Sequence, residues 1–142
     1  QGHLSFSGEL AGLDERTKGL MKKAVAFTKK HRELIQRSVF RPLTPIRNMD
    51  DRGGWSASYI EGTEAAAPGG AAGIFHAFRL DSPTDETIFR LPPDAVSGEY
   101  VVEDYDTGEV FSTDTKTLSE TGVTVNLPHK NSGAVLIFHR MN

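Results

Sequence analysis

A chain of 142 residues is one domain's worth of protein, and it should bury roughly two thirds of its unfolded surface without covalent staples. It has no Cys, which excludes disulfides, a thiol nucleophile and a thiolate metal site but leaves the cellular compartment open. The formal net charge of −3 selects no class of partner, and no apolar run approaches the roughly 18 residues that a membrane span needs.

The opening "QGHLSFSGEL" lacks a basic region followed by an apolar stretch, so no signal peptide is expected there. Gln1 and Gly2 read as a protease-site scar, which makes the chain a piece of something longer. Residues 1–13 read as a brief strand at Leu4–Phe6 and a glycine-bearing loop. Asp14 then offers its carboxylate to the free N–H groups of a first helical turn. Apolar residues recur at Leu20, Met21, Ala24, Val25, Phe27, Leu34 and Ile35, with Thr28 and His31 on the same stripe. That spacing predicts one long amphipathic α-helix running to near Gln36, with Lys18, Lys22, Lys29, Lys30 and Arg32 on its outer face. Such a stripe must be buried against something.

After Ser38 the pattern changes to strands. "VFRPL" carries Pro42 and is confined to an edge. "WSASYI" alternates Trp55, Ala57 and Tyr59 against Ser56 and Ser58. "EGTEAAAPGGAAG" reads as a small-residue loop. "IFHAFRL", "ETIFRL", "EYVVEDY", "EVFST", "GVTVNL" and "AVLIFHR" follow, joined by short turn-rich links, and "YDTGEVF" is a tight hairpin. Strands at this spacing without intervening helices imply an antiparallel β-sandwich, here preceded by the helix.

Charge is unevenly spread. From Asp14 to Arg47 there are ten Lys/Arg against the three acids Asp14, Glu15 and Glu33, whereas from Asn48 onward there are six against fifteen. A basic helix raises the idea of nucleic-acid or membrane binding. The strand half is acidic and offers no flanking basic groove, so a solvated helix face is the better reading and neither partner is expected.

The search for chemistry is negative. Asp50 and Asp51 sit in turn sequence, and strand alternation sends Glu103 and Asp104 to opposite faces, which suits no shared acid–base site. "EDYDTGE" touches a calcium-loop pattern only weakly. His3, His31, His76, His129 and His139 form no i, i+4 pair or HxH cluster, so no local zinc site is expected. Ser5 and Ser7 lack the elbow of a serine nucleophile, and "GGAAG" lacks the Lys of a phosphate loop. No catalytic residue, cofactor site or metal site is assigned. Trp55 and Tyr59 are the candidates for a sugar-stacking platform, although the face they share with Ala57 suits a core better.

The order "HLSFSGEL", a helix ending "FTKKHRELIQ", then "SVFRPLTP", "WSASYI", "FHAFRL", "FRLPPD", "EYVVEDYDTGE", "GVTVNLP" and "SGAVLIFH" resembles the C-terminal end of alpha-galactosidase-like enzymes of glycoside hydrolase family thirty-six. The likeness spans nearly the whole chain. In that family a large N-terminal β domain precedes a TIM barrel, and a smaller antiparallel β domain closes the chain. The resemblance implies that residues 1–38 are the remnant of the barrel's end, with its final helix, and that residues 39–142 are the closing β-sandwich. The segment Tyr100 to Glu109 looks like a hairpin of that domain. The parent would hydrolyse terminal α-linked galactosyl residues with retention. Its two catalytic Asp residues lie on earlier barrel strands, before Gln1, so the fragment itself is expected to be a non-catalytic accessory domain. Its implied partner is the missing barrel. Self-association through the helix, or weak carbohydrate binding through Trp55 and Tyr59, are the other partners to test.

Overall fold

The computed structural model describes residues 11–45, 50–51, 53–63 and 71–141. Helix α1 spans Glu15–Lys30 and starts where the sequence places its cap: the Asp14 carboxylate accepts the Thr17 N–H at 2.8 Å and the Thr17 hydroxyl at 3.0 Å. Those bonds hold the Asp14 carboxyl below the usual carboxylate range.

The single long helix expected to Gln36 is in fact two pieces, because His31 separates α1 from the short α2, Arg32–Gln36. His31 takes φ −106° and ψ 16°, although its N–H still reaches the Phe27 carbonyl at 3.0 Å. Just upstream, the Thr28 hydroxyl bonds back to the Ala24 carbonyl at 2.9 Å, a contact that competes with the helical ladder and bends it.

The eight strand segments read after Ser38 all form strands: β1 Val39–Pro42, β2 Trp55–Glu61, β3 Ala71–Arg79, β4 Glu86–Phe89, β5 Glu99–Asp104, β6 Val110–Asp114, β7 Val123–Asn126 and β8 Ser132–Arg140. β3 starts earlier than expected, taking in Ala71–Gly73 of the supposed loop, with a register irregularity between Ala71 and Gly73. A six-stranded sheet runs β1-β2-β3-β8-β5-β6 and a two-stranded one pairs β4 with β7, every pair antiparallel. A π-helical turn, Thr117–Thr121, precedes β7 and sets Leu118 in the core. The sandwich is therefore unequal, a broad sheet against a narrow one.

Alternation divides the broad sheet into two apolar faces. Inward point Trp55, Ala57, Tyr59, Phe75, Ala77, Tyr100, Val102, Leu136 and Phe138, all buried beneath Phe89, Val123 and Val125 of the small sheet, with Leu91, Val96 and Leu118 filling the flank. Outward point Ile60, Ile74, Val135 and Ile137, which meet Phe27, Leu34 and Ile35 from the helices and Tyr105. The helix thus packs on the side of the broad sheet that the small sheet leaves open.

Aromatic edges organise the inner core: Tyr59 and Tyr100 each approach the Phe138 ring in T-shaped geometry, at 5.5 and 5.9 Å. The Tyr100 hydroxyl accepts the Ser97 N–H at 2.8 Å and donates to the Ser97 carbonyl at 3.1 Å, so its polar end is satisfied. Gly73 sits against the Tyr59 ring, where a Cβ would overlap it, so only glycine lets that ring lie flat. The buried Arg79 guanidinium donates to the carbonyls of Ser82 and Leu127, at 3.0 and 2.7 Å, tying β3 to the end of β7.

The two edges of the broad sheet differ. β1 carries Pro42, and its Arg41 is engaged by Glu61 and Asp94. β6 has neither Pro nor Lys, and it exposes Val110 and Phe111.

Two substitutions check this packing by urea denaturation. Phe138→Ala should lower stability by about 3–5 kcal/mol with little change in the denaturant slope, since it empties the space between two tyrosines. Gly73→Ala should cost about 1–3 kcal/mol by overpacking against Tyr59.

Candidate functional site

The carboxylates singled out in the sequence do not converge. Asp104 shapes its hairpin by accepting the N–H groups of Asp106 and Thr107, both at 2.9 Å. Glu103 lies on the outer face, with its carboxylate 3.6 Å from His139 Nε2. Asp51 accepts the Gly53 N–H at 3.0 Å, and Asp50 is exposed. Among the described residues no group of three or more His, Asp or Glu could hold a metal ion.

The histidines are dispersed as well. His31 is buried, with its ring centroid 4.7 Å from that of Phe27, and its Nε2 has no hydrogen-bond partner among the described residues. His76 is half-buried on the outer face, and that burial lowers its pKa. His129 is exposed at the turn before β8. His3, Ser5 and Ser7 lie outside the described residues, as does the stub Leu4–Phe6.

The sugar platform at Trp55 and Tyr59 is corrected by burial. Trp55 is 8% exposed and Tyr59 1%, because both occupy inward positions of β2 under the small sheet. Trp55 meets the Phe89 ring edge at 6.1 Å and has no free face for a sugar.

Besides Ile88 on the small sheet and Val110 and Phe111 on the β6 edge, exposed apolar surface gathers on the outer side of the broad sheet. No residue of α1 is buried, and Leu20 is 57% exposed, although the stripe is anchored at its other end by Phe27, Leu34 and Ile35. Met21, Val25 and Ala26 form a shallow depression rimmed by Lys22 and Lys29. A second hollow, of about 350 Å³, runs over β2: Ser56 and Ser58 form its floor, Phe40, Pro42 and Pro45 one side, Phe78 and Leu80 the other. Phe40 is 64% and Phe78 49% exposed. Phe78 lies against Gly133, where a Cβ would come within 2.7 Å of its ring. Phe40 pairs across the strands with Ile60, which packs beneath the helices, so the hollow borders the helix-covered zone.

Sequence reasoning found the stripe and missed the hollow. The signal was present in "IFHAF": Phe75 and Phe78 are an odd number of residues apart in one strand, so only one can point inward.

No family model matches the chain, and no curated protein matches it. Solved structures do. The galactosidase domain of the alpha-galactosidase-sucrose kinase AgaSK superposes with a TM-score of 0.67 at 13% identity over 92% of this chain. The GH36 alpha-galactosidase AgaA of Geobacillus stearothermophilus, a variant solved with raffinose, gives a TM-score of 0.66 at 16% identity over 94%. The GH36 alpha-galactosidase AgaB of the same organism gives 0.61 at 20% identity over 92%. The chain spans only 17% of the length of each of these proteins. At the level of fold the resemblance read from the sequence is borne out: this helix and its unequal β-sandwich are shared with a segment of GH36 alpha-galactosidases.

Proposed function

We propose that the chain is the non-catalytic C-terminal accessory domain of an alpha-galactosidase-type glycoside hydrolase. Residues 39–142 are its closing β domain, and residues 1–38 are the end of its catalytic barrel. The observation that carries the reading is the helix stripe, anchored at Phe27 and Leu34 yet exposed at Leu20 and Ala26 and only half-covered at Met21 and Val25. A half-covered amphipathic helix fits a segment with two neighbours, the sheet on one side and a barrel flank on the other. The scattered carboxylates and the shared fold support the same view.

The work of this domain is to cover the barrel and hold it in position. The barrel is a better partner than a second copy, because stacking two α1 stripes brings their lysine rows together. The parent enzyme removes terminal α-linked galactosyl groups with retention, using two carboxylates upstream of Gln1.

Docking is tested by producing the upstream barrel as a separate polypeptide and titrating it with this chain. Leu20→Glu and Ala26→Glu should each leave the chain's own stability within about 0.5 kcal/mol, since both sites are exposed. Each should weaken barrel binding about 10- to 100-fold, the loss expected for one buried aliphatic side chain. No binding by the unaltered chain, or concentration-dependent dimerisation in sedimentation that the same variants abolish, would overturn docking on the barrel. Turnover of an aryl α-galactoside by the isolated chain would overturn its non-catalytic role. For the parent, NMR of the first product should show the α-anomer of galactose; the β-anomer first would refute retention.

A further inference from the structure

The joint between helix and sheet contains a titratable group that neither packing nor docking requires. Among the described residues no hydrogen bond or ion pair links α1 to the sheet, so its attachment rests on side chains at one end. Phe27, Leu34 and Ile35 are those side chains, against Ile74, Ile137, Val135 and Tyr105, and the His31 ring lies against Phe27. His31 is 6% exposed at the break between α1 and α2, and its Nε2 is sealed from solvent without an acceptor. A neutral imidazole tolerates that position at modest cost, whereas an imidazolium there has a donor with nothing to receive it.

We propose that His31 is a pH-sensitive latch: neutral, it closes the helix onto the outer face of the broad sheet, and protonated, it releases the helix while the inner core stays folded.

The groups facing His31 come from three elements. Lys30 on its own helix and His139 on β8 oppose a positive charge, and only Glu103 on β5 favours one. Glu103 is already placed 3.6 Å from His139 Nε2, and Tyr105, just beyond β5, presents its ring to Phe27 rather than a charge to the imidazole. Desolvation is the largest influence and acts in the same direction as the two cations, so the docked His31 holds its proton more weakly than the ordinary value of 6.5. Docking is therefore at full strength above that value. It weakens as pH falls through 6.5 and goes on weakening until the lowered pKa of the docked state is passed.

The molecule carries its own control. Trp55, the single tryptophan, belongs to the inner core beside Phe89, on the face of the sheet away from the helices. Release of the helix leaves it shielded; unfolding of the domain does not.

The test is hydrogen exchange of the amides of residues 21–36, corrected for the intrinsic pH dependence of exchange, with Trp55 emission followed in parallel. Between about pH 7.5 and about pH 5.5 the opening equilibrium of this segment should rise, by up to about tenfold, while Trp55 emission stays constant. His31→Phe, which keeps an aromatic ring against Phe27, should abolish the rise, and His31→Gln should do the same if the larger ring is not accommodated. His139→Gln removes the neighbouring imidazole and should leave the rise in place. A pH-independent opening, a rise that survives both His31 substitutions, or one lost in His139→Gln would overturn the proposal. Trp55 moving together with the helix would also overturn it, in favour of acid unfolding of the whole domain, to which the half-buried His76 contributes.

Discussion

The structure depends on the need to cover the central strand pair, β3 and β8, on both faces. In antiparallel pairing Phe75 meets Leu136 and Ile74 meets Ile137, so adjacent residues of one strand face opposite layers. Ile74, Phe75 and Ile137 are completely inaccessible to solvent. Each such side chain contributes about 1.5–3 kcal/mol only if its own face is sealed. The small sheet seals one side, and the helices seal part of the other.

The two covers are of unequal quality. The inner one is continuous, with aromatic rings meeting edge to face around Phe138 and β4–β7 closing over Phe75 and Val102. The outer one is short: α2 and the last turn of α1 protect the zone of Ile60, Ile74 and Ile137, while Phe40 and Phe78 lie beyond it in the open. On this side of the sheet the apolar surface left over includes the free half of the helix stripe and the hollow above β2. Their common orientation is what the proposed docking on a barrel would use.

Much of this was legible residue by residue. Asp14 marks the helix start because its carboxylate can serve free N–H groups, and the alternations from Trp55 to Tyr59 and from Tyr100 to Val102 mark inward faces. The hairpin at Gly108 follows from a turn that needs a positive φ, here 75°. Other features depend on partners far away in sequence and have no local signal. Pairing of β4 with β7, and insertion of β8 between β3 and β5, are decided by which faces fit, not by any residue within them. The break at His31 was hidden because apolar periodicity continues through it. The apparent sugar platform failed for a related reason: "WSASY" displays its rings on one face but does not say which side of the sheet will be covered. The exposed hollow became visible only when strand register put Phe40 beside Ile60 and Phe78 over Gly133.

The contrast between the two rims of the broad sheet has a consequence for how the protein behaves in bulk. Strand β1 is blunted, since Pro42 supplies no N–H for an incoming chain and the ions around Arg41 keep the backbone solvated. Strand β6 has none of these guards: it is the last strand of the sheet, and Val110 and Phe111 offer grease on both sides of it. At the broad sheet, growth of one molecule onto another by strand addition is therefore favoured at the β6 rim. Colloidal failure at high concentration would begin there, and a lysine placed in β6 is the most economical remedy.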